Sequence, residues 1–159
     1  MNDAILSSLV YIERDGKYLM LHRTKKENDI NAGKWIGVGG KFETGESPEE
    51  CAIREAGEET GLTLHSPVFR GIVTFLCDRC PPEYMHLFTC TDFSGTLRDC
   101  DEGELAWVEK SRVPCLPLWE GDRIFLSLLA HDAPFFSLKL VYLGDTLTRA
   151  TLDGRELPL

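Results

Sequence analysis

Positive charge is scarce in this chain: 17 Lys and Arg stand against 26 Asp and Glu, a net charge of −9. A protein that grips a nucleic-acid polymer needs a basic footprint along the phosphate backbone, so that class of partner is excluded. A small phosphorylated ligand is not, because a divalent cation can supply the missing positive charge. Long apolar runs are lacking too. No stretch approaches the roughly 20 residues of a membrane span, so no membrane partner is expected. The start, MNDAILSSLVYIERDG, has neither a basic segment nor a small-residue cleavage site, which points to a cytoplasmic protein. Reduced thiols are then the default. Among six cysteines only Cys77 and Cys80 form a C-x-x-C pair. A closed zinc site needs four ligands and the chain has no second such pair, so none is expected. His22, His65, His86 and His131 show no paired spacing and read as structural or surface residues. Repeats, low-complexity tracts and linkers are also missing. The 159 residues suit one domain, 1–159, with a real core.

What is present is a series of short strand patterns and two helices. Ile5 to Glu13 is rich in aliphatic and β-branched residues, Asp15-Gly16 signals a turn, and Lys17 to Arg23 pairs back as a hairpin. Thr24 to Lys34 is polar and reads as an exposed loop. Trp35 to Gly40 is dense in glycine, so its backbone turns sharply or approaches a ligand closely. Ser47 to Thr60 is a helix: Ser47 suits the N-cap, Pro48 the first helical position, Glu50 completes an S-x-x-E capping box, and Gly61 stops it. Val68 to Cys77 and Tyr84 to Thr91 read as strands around a Pro81-Pro82 loop, and Leu105 to Glu109 as another. Gly121 to Ala130 is a second helix, with Ile124, Phe125, Leu128 and Leu129 towards the core. Leu138 to Leu143 and Thr146 to Leu152 form a final hairpin about Gly144-Asp145. Together these predict an α/β fold with a mixed sheet packed by helices.

The first helix poses a chemical problem. Glu55, Glu58 and Glu59 fall at spacings of three and four residues, within one side of a helix. Like charges so placed each cost roughly 0.2–0.5 kcal/mol. Arg54, the one basic residue nearby, can reach Glu58 but not all three acids. Gly39-Gly40 precedes them and can offer a backbone carbonyl. Three carboxylates and a carbonyl make an oxygen-only nest suited to Mg²⁺ or Mn²⁺.

Gly40, five residues, Glu46, seven residues, then Arg54-Glu55-Ala56-Gly57-Glu58-Glu59-Thr60-Gly61-Leu62 resembles the Nudix box, G-x5-E-x7-R-E-U-x-E-E-x-G-U, where U is bulky and aliphatic. Every fixed Gly, Glu and Arg is present, a match expected by chance on the order of once in 10⁸ starts. Ala56 is smaller than usual, and Gly57 inside a helix costs roughly 1 kcal/mol. A P-loop ending at Gly40-Lys41 fails, because Trp35 and Phe42 stand at its obligatory positions. No H-E-x-x-H or G-x-S-x-G occurs.

The resemblance implies an α/β/α sandwich and hydrolysis of a nucleoside diphosphate linked to another group. Carried over by position, Gly39 (through its carbonyl), Glu55, Glu58 and Glu59 would hold Mg²⁺ or Mn²⁺. Glu55 and Glu58 would be catalytic, with Glu55 orienting or deprotonating the attacking water. Gly40, Glu46, Arg54 and Gly61 would brace the motif. Beyond the box, LMLHRTKKENDINAGKWIGVGGKFETGE, DCDEGELAWVEKSRV, LWEGDRIF and PFFSLKLVYLGD resemble the MutT-type 8-oxo-dGTP diphosphatases, in particular a bacterial MutX-like branch. That likeness implies Glu102 as a further metal carboxylate, with Asp101 and Glu104 close in register. It implies Arg23 on substrate phosphate, Trp119 stacked on a purine and Asp122 beside the base; Lys41 is placed to reach phosphate as well. Gly121 stands where a second acid is usual, and Ile36 where one branch has an asparagine that reads the base. The expected activity is conversion of 8-oxo-dGTP to 8-oxo-dGMP and pyrophosphate by a monomer or homodimer. Cleavage of another nucleoside diphosphate derivative such as ADP-ribose, or ligand sensing without chemistry, are the alternatives.

Overall fold

The computed structural model describes residues 3–159. β1 (Ile5–Arg14) and β2 (Lys17–Arg23) form the expected hairpin. Its turn residues Asp15 and Gly16 both have positive φ, 53° and 73°, as the tight turns of twisted hairpins require. β3 (Trp35–Ile36), β4 (Val38–Lys41), α1 (Pro48–Thr60), β5 (Leu62–Leu64), β6 (Val68–Cys77), β7 (Cys80–Cys90), β8 (Phe93–Gly95) and β9 (Gly103–Glu109) follow. A 3-10 turn at Val113–Cys115 leads to α2 (Asp122–Ala130), β10 (Phe136–Leu143), β11 (Thr146–Leu152) and β12 (Arg155–Glu156).

One sheet runs in the order β12-β11-β10-β6-β7-β1-β2-β3, with β4 also on β1 and β9 also on β2. β1 lies parallel to β7, and β10 parallel to β6, while the other pairs are antiparallel. The sheet is therefore mixed. Side chains alternate across it. Tyr11 enters the core shared with α2, whereas Val10 and Ile12 enter the core shared with α1. The helices thus cover opposite faces, giving the three-layer α/β/α arrangement.

α1 starts as its sequence requires. Ser47 accepts the Glu50 N–H, Glu50 accepts the Ser47 N–H, and Gly61 closes the helix in the left-handed region at φ 79°. Ala56 is fully buried, so the small residue sets how closely α1 approaches the sheet. β9 and β10 each begin two residues earlier than expected, and three further differences bear on the fold. Pro81 and Pro82 lie inside β7 and not in a loop; the turn is Asp78-Arg79. β7 meets β1 from Glu83 onward, so among the described strands the prolines neighbour β6 alone and a missing N–H costs no second ladder bond. α2 begins at Asp122, one residue late, and Leu126 joins Phe125 and Leu129 as its buried residues, with Ile124 and Leu128 half-buried beside them. The glycine-dense stretch forms β3 and β4, which short length had hidden.

Ser47→Ala removes the side-chain half of the cap. The variant is expected to lose about 1 kcal/mol of unfolding free energy, read in urea as a lower midpoint at unchanged slope.

Candidate active site

α1 packs where β4 crosses the start of β1, and the space between them holds the acids. The Arg54 guanidinium organises most of them. Its Nε and Nη2 grip both oxygens of Glu46 at 2.6 and 2.8 Å, Nη1 reaches Glu55 at 2.8 Å and Glu58 at 3.3 Å, and Nη2 also donates to the Lys41 carbonyl at 3.0 Å. The ion pair with Arg54 and the Glu43 N–H push the Glu46 carboxyl down to about 2. Glu55 is raised, because partial burial outweighs its bond to Arg54. It lies directly over Gly40, where a Cβ would fall 2.6 Å from Glu55 Oε2. A side chain at this position would displace the Glu55 carboxylate.

Glu59 departs from its neighbours. It turns inward, is 6% exposed, and accepts the Gly39 N–H at 2.6 Å through Oε1. Its Oε2 is buried without a hydrogen-bond partner. Burial, then the nearby Glu102 and Glu55 charges, raise its carboxyl well above the usual range. A carboxylate desolvated among carboxylates is costly unless a proton or a cation joins it. Glu102 immediately precedes Gly103, which closely approaches the β2 backbone at His22. Of Asp101, Glu102 and Glu104, it is Glu102 whose carboxylate meets the Arg23 guanidinium, at 2.7 Å. The donors facing this space are all oxygens, and one is orphaned, which fits a hard divalent cation. Among the described residues no three acidic, histidine or cysteine side chains yet converge as ligands; the arginines hold several of these carboxylates.

Arg23 is buried, not solvated. Its Nε bonds Asp29 at 2.7 Å opposite the Glu102 contact. Asp29 also accepts the Asn31 N–H at 3.1 Å, and Asn31 Oδ1 accepts Trp119 Nε1–H at 2.8 Å. Trp119 is 3% exposed. Phe75 and Tyr142 meet it edge-on, 5.1 and 4.9 Å between ring centres, and the Lys34 ammonium lies 4.3 Å from its ring centre. Asp122, at the start of α2, is also buried, and desolvation pushes its carboxyl up to about 8 against the opposing charges of Arg123 and Lys34. Near it the Tyr11 hydroxyl is buried without a partner.

The structure therefore gathers Gly39, Gly40, Glu46, Arg54, Glu55, Glu58, Glu59, Glu102 and Arg23 at one end, and Trp119 with Asp122 at the other. Lys41 is exposed at the end of β4, and Gly61 caps α1 away from the acids. Sequence reading missed Asp29, Asn31, Lys34 and Tyr11; the Asx-rich KENDIN segment was the available signal. The histidines are structural: His22 stacks on Trp35 at 4.4 Å, His86 and His131 bond carbonyls, and His65 bonds Ser94.

A model of the NUDIX domain matches residues 5–129. An oxidized purine nucleoside triphosphate hydrolase of Danio rerio is 28% identical over 152 residues, covering 95% of this chain and 96% of that one. The Nudix hydrolase YvcI of Bacillus subtilis is 31% identical over 123 residues, 74% of each chain. The crystal structure of a MutT protein from Bacillus halodurans superposes with a TM-score of 0.84 at 27% identity, over 94% of this chain and 97% of that one.

The Asp122 carboxyl carries a sign that can be measured. Its value in the fold, about 8, lies above the ordinary 3.8. The folded protein keeps a proton that the unfolded chain releases, so its contribution to stability is full below about pH 4 and declines as pH rises towards about 8. Asp122→Asn removes this dependence. Wild type is expected to lose up to about 1.4 kcal/mol per pH unit relative to the variant across that window. Urea midpoints at two pH values check it; parallel slopes for the two proteins would mean that the buried group is ionised.

Proposed function

The chain belongs to the Nudix family, hydrolases that act on phosphoric anhydride bonds, and on that premise we propose that it is a metal-dependent nucleoside triphosphate pyrophosphohydrolase for oxidised purines, 8-oxo-dGTP first. Water cleaves the link between the α and β phosphates, and the products are a nucleoside monophosphate and pyrophosphate. The observation that carries this reading is the crowded carboxylate set, with Glu59 buried and half-unpartnered, joined through Glu102, Arg23, Asp29 and Asn31 to Trp119. A cluster of carboxylates with one buried member, wired to an indole, suits a ligand that is phosphate and cation at one end and aromatic at the other.

Nudix hydrolases generally use a divalent metal, commonly Mg²⁺. Glu55, Glu58, Glu59, Glu102 and the Gly39 carbonyl would hold it here. When bound, the ion supplies positive charge against phosphate oxygens and makes water a better nucleophile at neutral pH. The chain's own groups do the rest. Glu55, pinned between Arg54 and Gly40, orients the attacking water and takes its proton. Arg54 and Glu46 fix the loop that carries Gly39 and Gly40. Arg23 and Lys41 answer the phosphate charge. Trp119 offers its ring face to the base once the Lys34 ammonium swings aside, and Asp122, protonated at neutral pH, donates a hydrogen bond to a purine acceptor.

Pyrophosphate release from a panel of 8-oxo-dGTP, dGTP, a pyrimidine triphosphate and ADP-ribose, each with and without Mg²⁺, tests the proposal. Turnover of 8-oxo-dGTP with Mg²⁺ above the rest is expected. Preference for ADP-ribose moves the substrate class, and ligand binding with no turnover of any nucleotide sinks the enzymatic reading. Glu55→Gln is expected to lower kcat by about 10²–10⁴-fold with little change in KM.

A further inference from the structure

Cys77 and Cys80 take no part in the proposed reaction. They close the β6–β7 hairpin, one on each side of the two-residue turn Asp78-Arg79, as a directly facing pair. Facing residues of an antiparallel pair project to the same side of the sheet with Cα atoms about 4.5 or 5.5 Å apart. A disulfide spans Cα separations of about 4.4–6.8 Å. The two thiols are half-buried.

Their surroundings differ. The Arg79 N–H donates to Cys77 Sγ at 3.4 Å, and that sulfur lies 3.8 Å from Asp78 Oδ1. Burial and the neighbouring Cys77 push the Cys80 thiol up to about 12. The turn is also held in place: Asp78 accepts the Gly144 N–H at 3.0 Å, and Arg79 pairs with Asp145 at 2.9 Å. The sulfurs therefore stay in register, and joining them costs little further ordering. The other cysteines lack this arrangement. Cys51 and Cys90 are buried and donate to carbonyls, Cys100 is buried, and Cys115 is exposed.

We propose that Cys77 and Cys80 are a redox modification site, in which a hydroperoxide converts the cross-strand dithiol to a disulfide that thiols can reopen. The Cys77 sulfur attacks the peroxide oxygen, the O–O bond breaks, and the thiol proton goes to the departing oxygen, giving a sulfenic acid and the first water or alcohol. The Cys80 sulfur then attacks the sulfenic sulfur, the S–S bond forms, and hydroxide leaves with the Cys80 proton as water. Two sulfurs are oxidised by one electron each, and the peroxide O–O bond takes up both. The pair is only half-buried, beside the exposed turn Asp78-Arg79, so a small thiol can reach the bridge and reopen it.

The test is to treat the folded, reduced full-length protein with hydrogen peroxide. The intact mass is expected to fall by two hydrogens, thiols counted after unfolding to fall from six to four, and one peptide to carry the 77–80 link. Glutathione should restore six thiols without denaturant. Cys115→Ser should behave as wild type, and Cys77→Ser and Cys80→Ser should show no two-hydrogen loss. Oxidation confined to Cys115, sulfinic acid at Cys77 with no bridge, an unchanged mass, or a zinc ion retained on the pair each overturn the proposal.

Discussion

One guanidinium gathers the carboxylates around the acidic helix. Without Arg54, three glutamates on one side of α1 and Glu46 on the preceding loop would repel one another across a narrow gap. Arg54 answers with a two-point grip on Glu46 and single bonds to Glu55 and Glu58, while its remaining N–H secures the Lys41 carbonyl. A planar fork can do this and a lysine cannot, because the directions of its five donors are fixed. The loop then holds Gly40 against Glu55, so that the position of a helix carboxylate and the absence of a side chain in the preceding strand become one constraint. Glu59 lies outside the grip. Its charge problem is left unsolved by the protein alone, which is the state expected of a site that a cation completes.

Arg23 plays the matching part at the far side. It is tied on one side to Glu102, which faces Glu59, and on the other to Asp29, whose second oxygen holds the Asn31 backbone. Asn31 in turn fixes the indole edge of Trp119. An unbroken series of hydrogen bonds therefore runs from the carboxylate end of the site to the aromatic end, through a loop with little regular structure of its own. The loop Thr24–Lys34 sets the distance between the two ends, and in the proposed reaction that distance is the span from base to scissile phosphate.

Much of this was legible in the sequence, for identifiable reasons. The capping box, the Asp15-Gly16 turn and the spacing of the acids are local, and local chemistry survives folding unaltered. Pro81-Pro82 misled because proline signals only a missing donor; whether a partner strand needed that donor depends on where β1 begins alongside β7. Asp29 and Asn31 were hidden because a polar loop reads the same whether water or the protein satisfies it, and the Asp29 side chain proves only 5% exposed. Glu59 shared a helical side with Glu55 and Glu58, and periodicity cannot separate a carboxylate aimed at Gly39 from two gathered by Arg54. Arg23 and Asp122, each a solvated charge when taken alone, are both buried by residues far away in the chain.

The departure at Gly121 has a physical cause in the sheet. Its N–H donates to the Tyr142 hydroxyl at 2.7 Å, and a Cβ there would fall 2.7 Å from that same oxygen and against Leu140. The room a second acid would need is occupied by a phenol from β10. Ile36, standing where an asparagine reads the base in one related branch, packs instead with the core on the α1 side. Polar capacity near Trp119 is accordingly redistributed. A single carboxyl, Asp122, is kept neutral by burial, and the unpartnered Tyr11 hydroxyl lies near it. Two buried acids side by side would have to share a proton or be driven apart in acidity. One acid and a phenol avoid that conflict, and at neutral pH both can donate. A base presenting acceptors such as the carbonyl oxygens of an oxidised purine satisfies such a pair, whereas a base edge made of donors leaves it unpaired in a dry site, where an unmet polar group costs most.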